Sequence, residues 1–106
     1  MARVRLKYEL SVNPGLKLEE MVFEDKIIIF LYDQDPNDSA LFKNAHAYYI
    51  YPADDQLRIK ILVNGLEGFA WTLKVWVNDK LITDPPIQMA ANSMGRADYD
   101  GKINWR

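Results

Sequence analysis

The chain predicts an all-β fold: a single antiparallel β-sandwich of about seven strands, immunoglobulin-like or jelly-roll in topology. Three observations carry that prediction. Ala2, Val4, Leu6, Tyr8, Leu10 and Val12 fall on one parity, and Arg3, Arg5, Lys7, Glu9 and Ser11 fall on the other. A period of two sorts side chains onto opposite faces of a strand, here one apolar and one wet and mostly cationic. The same alternation returns at residues 57–77, and turn residues separate short apolar runs at spacings of about 8–12 residues. A partly open β-barrel is the alternative architecture.

The first strand ends at Asn13-Pro14-Gly15. Proline presets φ for the second turn position, and glycine accepts the positive φ of a type II turn. Leu16 and Leu18 resume on one parity, Met21 and Phe23 on the other, and that slip predicts a bulge near Glu19-Glu20. Ile27–Tyr32 is apolar on both parities and rich in β-branched residues, so it reads as a central strand covered on both faces. Asp33–Ser39 is a turn-rich loop, and Asp38 or Ser39 can cap a short helical turn over 38–44. His46–Tyr51 reads as an aromatic strand stopped at Pro52, with a turn at Asp54-Asp55.

Leu57, Ile59, Ile61 and Val63 share one parity, with Arg58 and Lys60 opposite. After the loop Asn64–Gly68, Phe69, Trp71, Leu73, Val75 and Val77 form the inward face of the next strand. Ala70, Thr72, Lys74 and Trp76 oppose them. Asn78-Asp79 suits a two-residue hairpin turn because both residues tolerate left-handed geometry, and Lys80–Thr83 returns as a short strand. Two periods then compete. Ile87, Ala90, Ala91 and Met94 recur as on a helix, whereas Ile87, Met89 and Ala91 alternate as on a strand. Asp84 at an N-cap, Pro85 in the first turn and Gly95 past the end favour a short helical turn over 85–94. The last strand is expected around Lys102–Trp105, with Asp100-Gly101 as its turn.

Composition narrows the class without naming a ligand. A chain of 106 residues, 49% hydrophobic and 26% charged, is expected to form one domain over 1–106 with one core. The net charge of −2 offers no overall field to draw in nucleic acid, which is therefore not an expected partner. Without cysteine there is no disulfide, thiolate nucleophile or cysteine-ligated metal. No secretory leader is visible, and the longest apolar run, Ile27–Tyr32, is far too short to span a membrane. The expectation is a cytoplasmic protein with no membrane partner.

Two groups of residues can carry binding chemistry. Three Trp, six Tyr and four Phe are generous for this length. Trp71 shares parity with Leu73 and belongs to the core, whereas Trp76 should emerge among Thr72 and Lys74. Tyr48, Tyr49 and Tyr51 span both parities and cannot all be inside. Exposed rings stack on the C–H faces of sugars, and they also anchor protein interfaces. Trp76, Tyr49 and Tyr51 are the candidate ligand-binding residues.

Asp33, Asp35, Asp98 and Asp100 supply hard oxygen donors in loops, the chemistry calcium takes, although neither stretch completes an EF-hand. The competing explanation is that Asp ends strands by bonding nearby backbone. Calcium is thus the one metal that could be held; otherwise no cofactor is expected.

Catalysis has little support. His46 is alone and reads as a structural, hydrogen-bonded side chain, and no serine sits in a nucleophile elbow. Adjacent acids such as Glu19-Glu20 and Asp54-Asp55 point to opposite faces of a strand. The reading is a non-enzymatic binding module that takes carbohydrate at exposed aromatics and an Asp-rich loop end. Its rival is a protein-interaction or self-assembly module, including a homo-oligomer, using the same rings and a sheet edge. Single-stranded nucleic acid over Arg3, Arg5, Arg58 and Lys60 would require their strands to be neighbours.

Overall fold

Two antiparallel sheets close on one apolar core. The computed structural model describes residues 3–106; Ala2, which opens the first alternation, lies outside the described residues. In chain order the strands are β1 (Val4–Val12), β2 (Leu16–Phe23), β3 (Lys26–Ile27), β4 (Gln34–Asp35), β5 (Asp38–Lys43) and β6 (Tyr48–Ile50). They continue with β7 (Gln56–Gly65), β8 (Ala70–Val77), β9 (Lys80–Leu81), β10 (Ile87–Ala90) and β11 (Tyr99–Asn104). Sheet one is seven-stranded in the order β10-β8-β1-β5-β4, with β6 also on β1 and β9 also on β8. Sheet two is four-stranded in the order β11-β7-β2-β3. The architecture is a β-sandwich.

Parity builds the core. Val4, Leu6, Tyr8, Leu10 and Val12 of β1 turn inward with Trp71, Leu73, Val75 and Val77 of β8. From the facing sheet come Met21 and Phe23 of β2 and Leu57, Ile59, Ile61 and Val63 of β7. Each fully buried side chain of this size stabilises the fold by roughly 1.5–3 kcal/mol relative to exposure. Trp71 is inside, as its parity requires, and its indole N–H donates to the Ala97 carbonyl at 2.7 Å. The Glu19-Glu20 bulge is present as a register shift between Leu18 and Glu20 against β7. Asn78 and Asp79 both have positive φ, 49° and 67°, the geometry of a tight hairpin turn.

Several expectations fail for identifiable reasons. Ile27–Tyr32 is not a central strand. Only Ile27 pairs, at the edge of sheet two, and a 3-10 turn follows over Phe30–Asp33. Ile28 is buried while Ile27, Ile29, Leu31 and Tyr32 are exposed. The segment crosses from sheet two to sheet one, so the two sheets claim only Ile28 and Phe30 from the apolar run.

Neither proposed helical turn exists. Residues 38–43 form β5, and Ile87–Ala90 form β10, where Ile87 and Met89 lie opposite Leu73 and Trp71. A short helix gains little by itself, whereas the open edge of β8 offers a ready ladder, so the period of two wins. Gly95 sits in a turn whose N–H donates to the Asn92 carbonyl, not at a helix end.

Phe69 leaves the inward row and is 38% exposed. Its ring lies over Gly15, where no side chain would fit. Asp100-Gly101 is not a turn either; it pairs with Lys60 and Ile59 inside β11. The Tyr99 ring folds over the bare backbone of Gly101, and no side chain there would leave it room. Among the described residues no helix is long and apolar enough to cross a membrane.

Candidate functional site

A buried carboxylate sets the orientation of the aromatic strand. Asp33 is 4% exposed at the end of the 3-10 turn. Its Oδ2 accepts hydrogen bonds from the Tyr8 hydroxyl at 2.6 Å and the Tyr48 hydroxyl at 2.7 Å. Its Oδ1 accepts one from the Ala45 N–H at 2.9 Å. Burial, reinforced by the Asp33 carboxylate, raises the pKa of both phenols. The Tyr8 and Tyr48 rings lie nearly parallel, 6.4 Å apart. Locking Tyr48 inward turns Tyr49 outward by alternation, and Tyr51, just past the strand, is exposed on the same parity.

Those two rings open onto a cleft of about 250 Å³ shared with Glu24 and Asp25 of the β2–β3 turn and Lys26 of β3. Glu24 holds a positive φ of 54°, and its Oε1 accepts a hydrogen bond from the Arg58 N–H. The Lys26 ammonium lies 5.3 Å from the Tyr48 ring centre. Aromatic faces beside carboxylates and an ammonium group can stack on an apolar ring face while bonding hydroxyls around it. Of the sequence-predicted rings, the structure brings Tyr49 and Tyr51 together here. Trp76 is half-buried on the outer face of sheet one and lies across β1 from Tyr49.

That outer face is laid out in cross-strand rows. Arg5 is opposite Tyr49, Lys7 is opposite Trp76, Trp76 is opposite Leu81, and Glu9 lies between Lys43 and Lys74. The Arg3 guanidinium sits 4.5 Å from the Tyr49 ring centre, and the Lys7 ammonium 4.7 Å from that of Trp76. Arg5 pairs with Asp79. Between β5 and β6 the backbone of β1 lacks a partner strand, and Asn44 fills in. Its Oδ1 accepts from the Tyr8 N–H, and its Nδ2 donates to the Leu6 carbonyl. A depression of about 420 Å³ remains at that gap, lined by Lys7, Lys43 and His46 among others. His46 is exposed in the loop before β6, not within the strand.

The four candidate metal ligands lie in different places, each bonded within the chain. Asp33 serves Tyr8, Tyr48 and Ala45, while Asp35 accepts from the Asn37 N–H. Asp98 accepts from the Val63 N–H and pairs with Arg96, and Asp100 pairs with Arg58. Among the described residues no three His, Cys, Asp or Glu side chains are gathered as a metal ion would need. Arg58 and Lys60 belong to sheet two, so they do not extend the cationic row of β1.

No family model, curated protein or solved structure matches this chain.

Glu24, Asp25, Lys26 and Lys43 escaped the sequence reading, which took His46 for a structural side chain. Their signal was faint: a charged triplet closing one hairpin, and cations at the ends of short strands. Glu24, Asp25 and Lys26 reach the Tyr49–Tyr51 rings from the other sheet, and the pairing of β1 with β5 brings Lys43 to the outer face of sheet one.

Proposed function

We propose that this protein is a non-enzymatic binding module for carbohydrate, seated first in the Tyr49–Tyr51 cleft. The observation that carries the reading is the meeting of two exposed tyrosines with the Glu24, Asp25 and Lys26 side chains around one open cleft. Stacking on a ring contributes attraction without sequence of charge, and the carboxylates and ammonium fix hydroxyl positions. The cleft is shallow and open, which suits modest affinity for one unit of a longer chain. Calcium is not needed in this reading, because the Asp side chains nominated for it are engaged elsewhere.

A glycan array of neutral and acidic chains, followed by titration of the hits, tests the proposal. Binding is expected for at least one chain, weakened by about tenfold in Tyr51→Ala, and unchanged by a calcium chelator. A flat array overturns it. The rival reading, a protein interface on the same rings, draws on Trp76 and Leu81 standing side by side on the outer face. It predicts a concentration-dependent mass in light scattering that Trp76→Ala abolishes.

A further inference from the structure

We infer that the ligand is an anionic polysaccharide, whose acidic groups lie along the outer face of sheet one from Tyr49 to the depression beside Lys43. This inference rests on the carbohydrate reading above and adds the charge and the path of the chain.

The first support is segregation of charge. Arg3, Arg5, Lys7, Lys43 and Lys74 share one face with Glu9 and Asp79, and Asp79 is spent on Arg5. Among the described residues none of Arg3, Lys7, Lys43 and Lys74 has a carboxylate within salt-bridge distance. Sheet two pairs more of its cations: Arg58 with Asp100, Lys60 with Glu20, and Arg96 with both Glu19 and Asp98, while Lys17 and Lys102 stand without a carboxylate partner among the described residues. A chain of net charge −2 has carboxylates to spare, yet beside these five cations it places only Glu9 and Asp79.

The second support is position. Lysine on an edge strand blunts aggregation, but β1 lies inside its sheet: Arg5 is paired with β6, and Lys7 stands between β8 and the gap that Asn44 fills. Protection of an open edge therefore does not explain Arg5. Lysine is also a poor strand former, so its placement at the middle of a sheet calls for another reason.

The third is continuity. Tyr49 lines the Tyr51 cleft and also a second hollow with Arg3 and Arg5. From there the cross-strand rows lead to Lys7 and Trp76, and to the depression holding Lys7, Lys43 and His46. Rings alternate with cations along this route. A sugar chain carrying carboxylate or sulfate groups presents the matching alternation of apolar ring faces and anions.

The test compares polygalacturonate, dextran sulfate, neutral dextran and poly(U) by titration calorimetry at several salt concentrations. One or both acidic glycans are expected to bind, with log affinity falling linearly as log salt rises. Lys7→Gln with Lys43→Gln should lose about tenfold or more, the size of two solvent-exposed charge pairs. Arg58→Gln with Lys102→Gln, on the other sheet, should leave binding unchanged. Circular dichroism confirms that each double variant is folded. Equal binding of dextran and the acidic chains overturns this inference and leaves the carbohydrate reading standing. Tighter binding of poly(U) assigns the face to nucleic acid and overturns it as well. No binding of any glycan overturns both.

Discussion

The outer faces of the two sheets carry similar residue types and pair them to different extents. On sheet two, cations of β7 and the β11 approach stand against carboxylates across the strands: Arg58 with Asp100, Lys60 with Glu20, Arg96 with Glu19 and Asp98. On sheet one, Arg3 and Lys7 stand over aromatic rings, and Lys43 and Lys74 flank a lone Glu9. Paired charges need no ligand, since each already has its counter-ion. Unpaired charges on a central strand remain available to one, and that difference is what the proposed ligand face rests on.

The undersides differ too. Beneath sheet two the row is apolar throughout: Met21, Phe23, Leu57, Ile59, Ile61 and Val63. Beneath sheet one Tyr8 brings a hydroxyl into the core, and Asp33 comes in to satisfy it. A polar group buried this deeply is stable only while its partners remain.

The comparison can be broken at four points. Ile61→Ala under sheet two should produce the largest change, about 2–5 kcal/mol of lost stability in urea unfolding, because it leaves a cavity. Asp33→Ala should cost less, about 1–3 kcal/mol, by stranding the Tyr8 hydroxyl. It should also raise the mobility of β6 in hydrogen exchange. An Asp33→Ala protein as stable as the parent would mean the buried network anchors nothing.

Acid titration comes next. Arg96 lowers the Asp98 pKa and Arg58 lowers that of Asp100; Asn64 and then Arg96 lower that of Glu19. Groups with depressed folded pKa values stabilise the fold above their unfolded values, about 3.9–4.3, and that contribution is lost as pH falls through the folded values. Arg58→Gln with Arg96→Gln should flatten this acid arm, measured as thermal midpoint between neutral pH and pH 2. Lys7→Gln with Lys74→Gln should leave its slope unaltered. The smallest effect belongs to Lys7→Gln by itself. Its stability should stay within about 0.5 kcal/mol of the parent, since no ion pair is broken. A clear destabilisation there would show that the Lys7–Trp76 contact is structural, and would weaken the case for a ligand.

Strand faces were legible from residue order because side-chain direction is a local property. Leu57 to Val63 and Trp71 to Val77 turn inward as alternation demands, and Trp76 stands on the other face, because a strand offers its residues only two directions. Turn chemistry at Asn78-Asp79 and the bulge at Glu19-Glu20 were equally local, and equally readable. Neighbours were not. Ile27–Tyr32 and Ile87–Ala90 could be placed only once the sheets declared which edges were open and which apolar side chains they would cover. The proposed ligand face belongs to that second kind. Nothing near Arg58 in the sequence says that it pairs with Asp100, 42 positions away, while Lys7 meets Trp76 and no acid. Strand order sets those distances, and charge acts through distance, so only the tertiary structure decided which cations were left without a carboxylate.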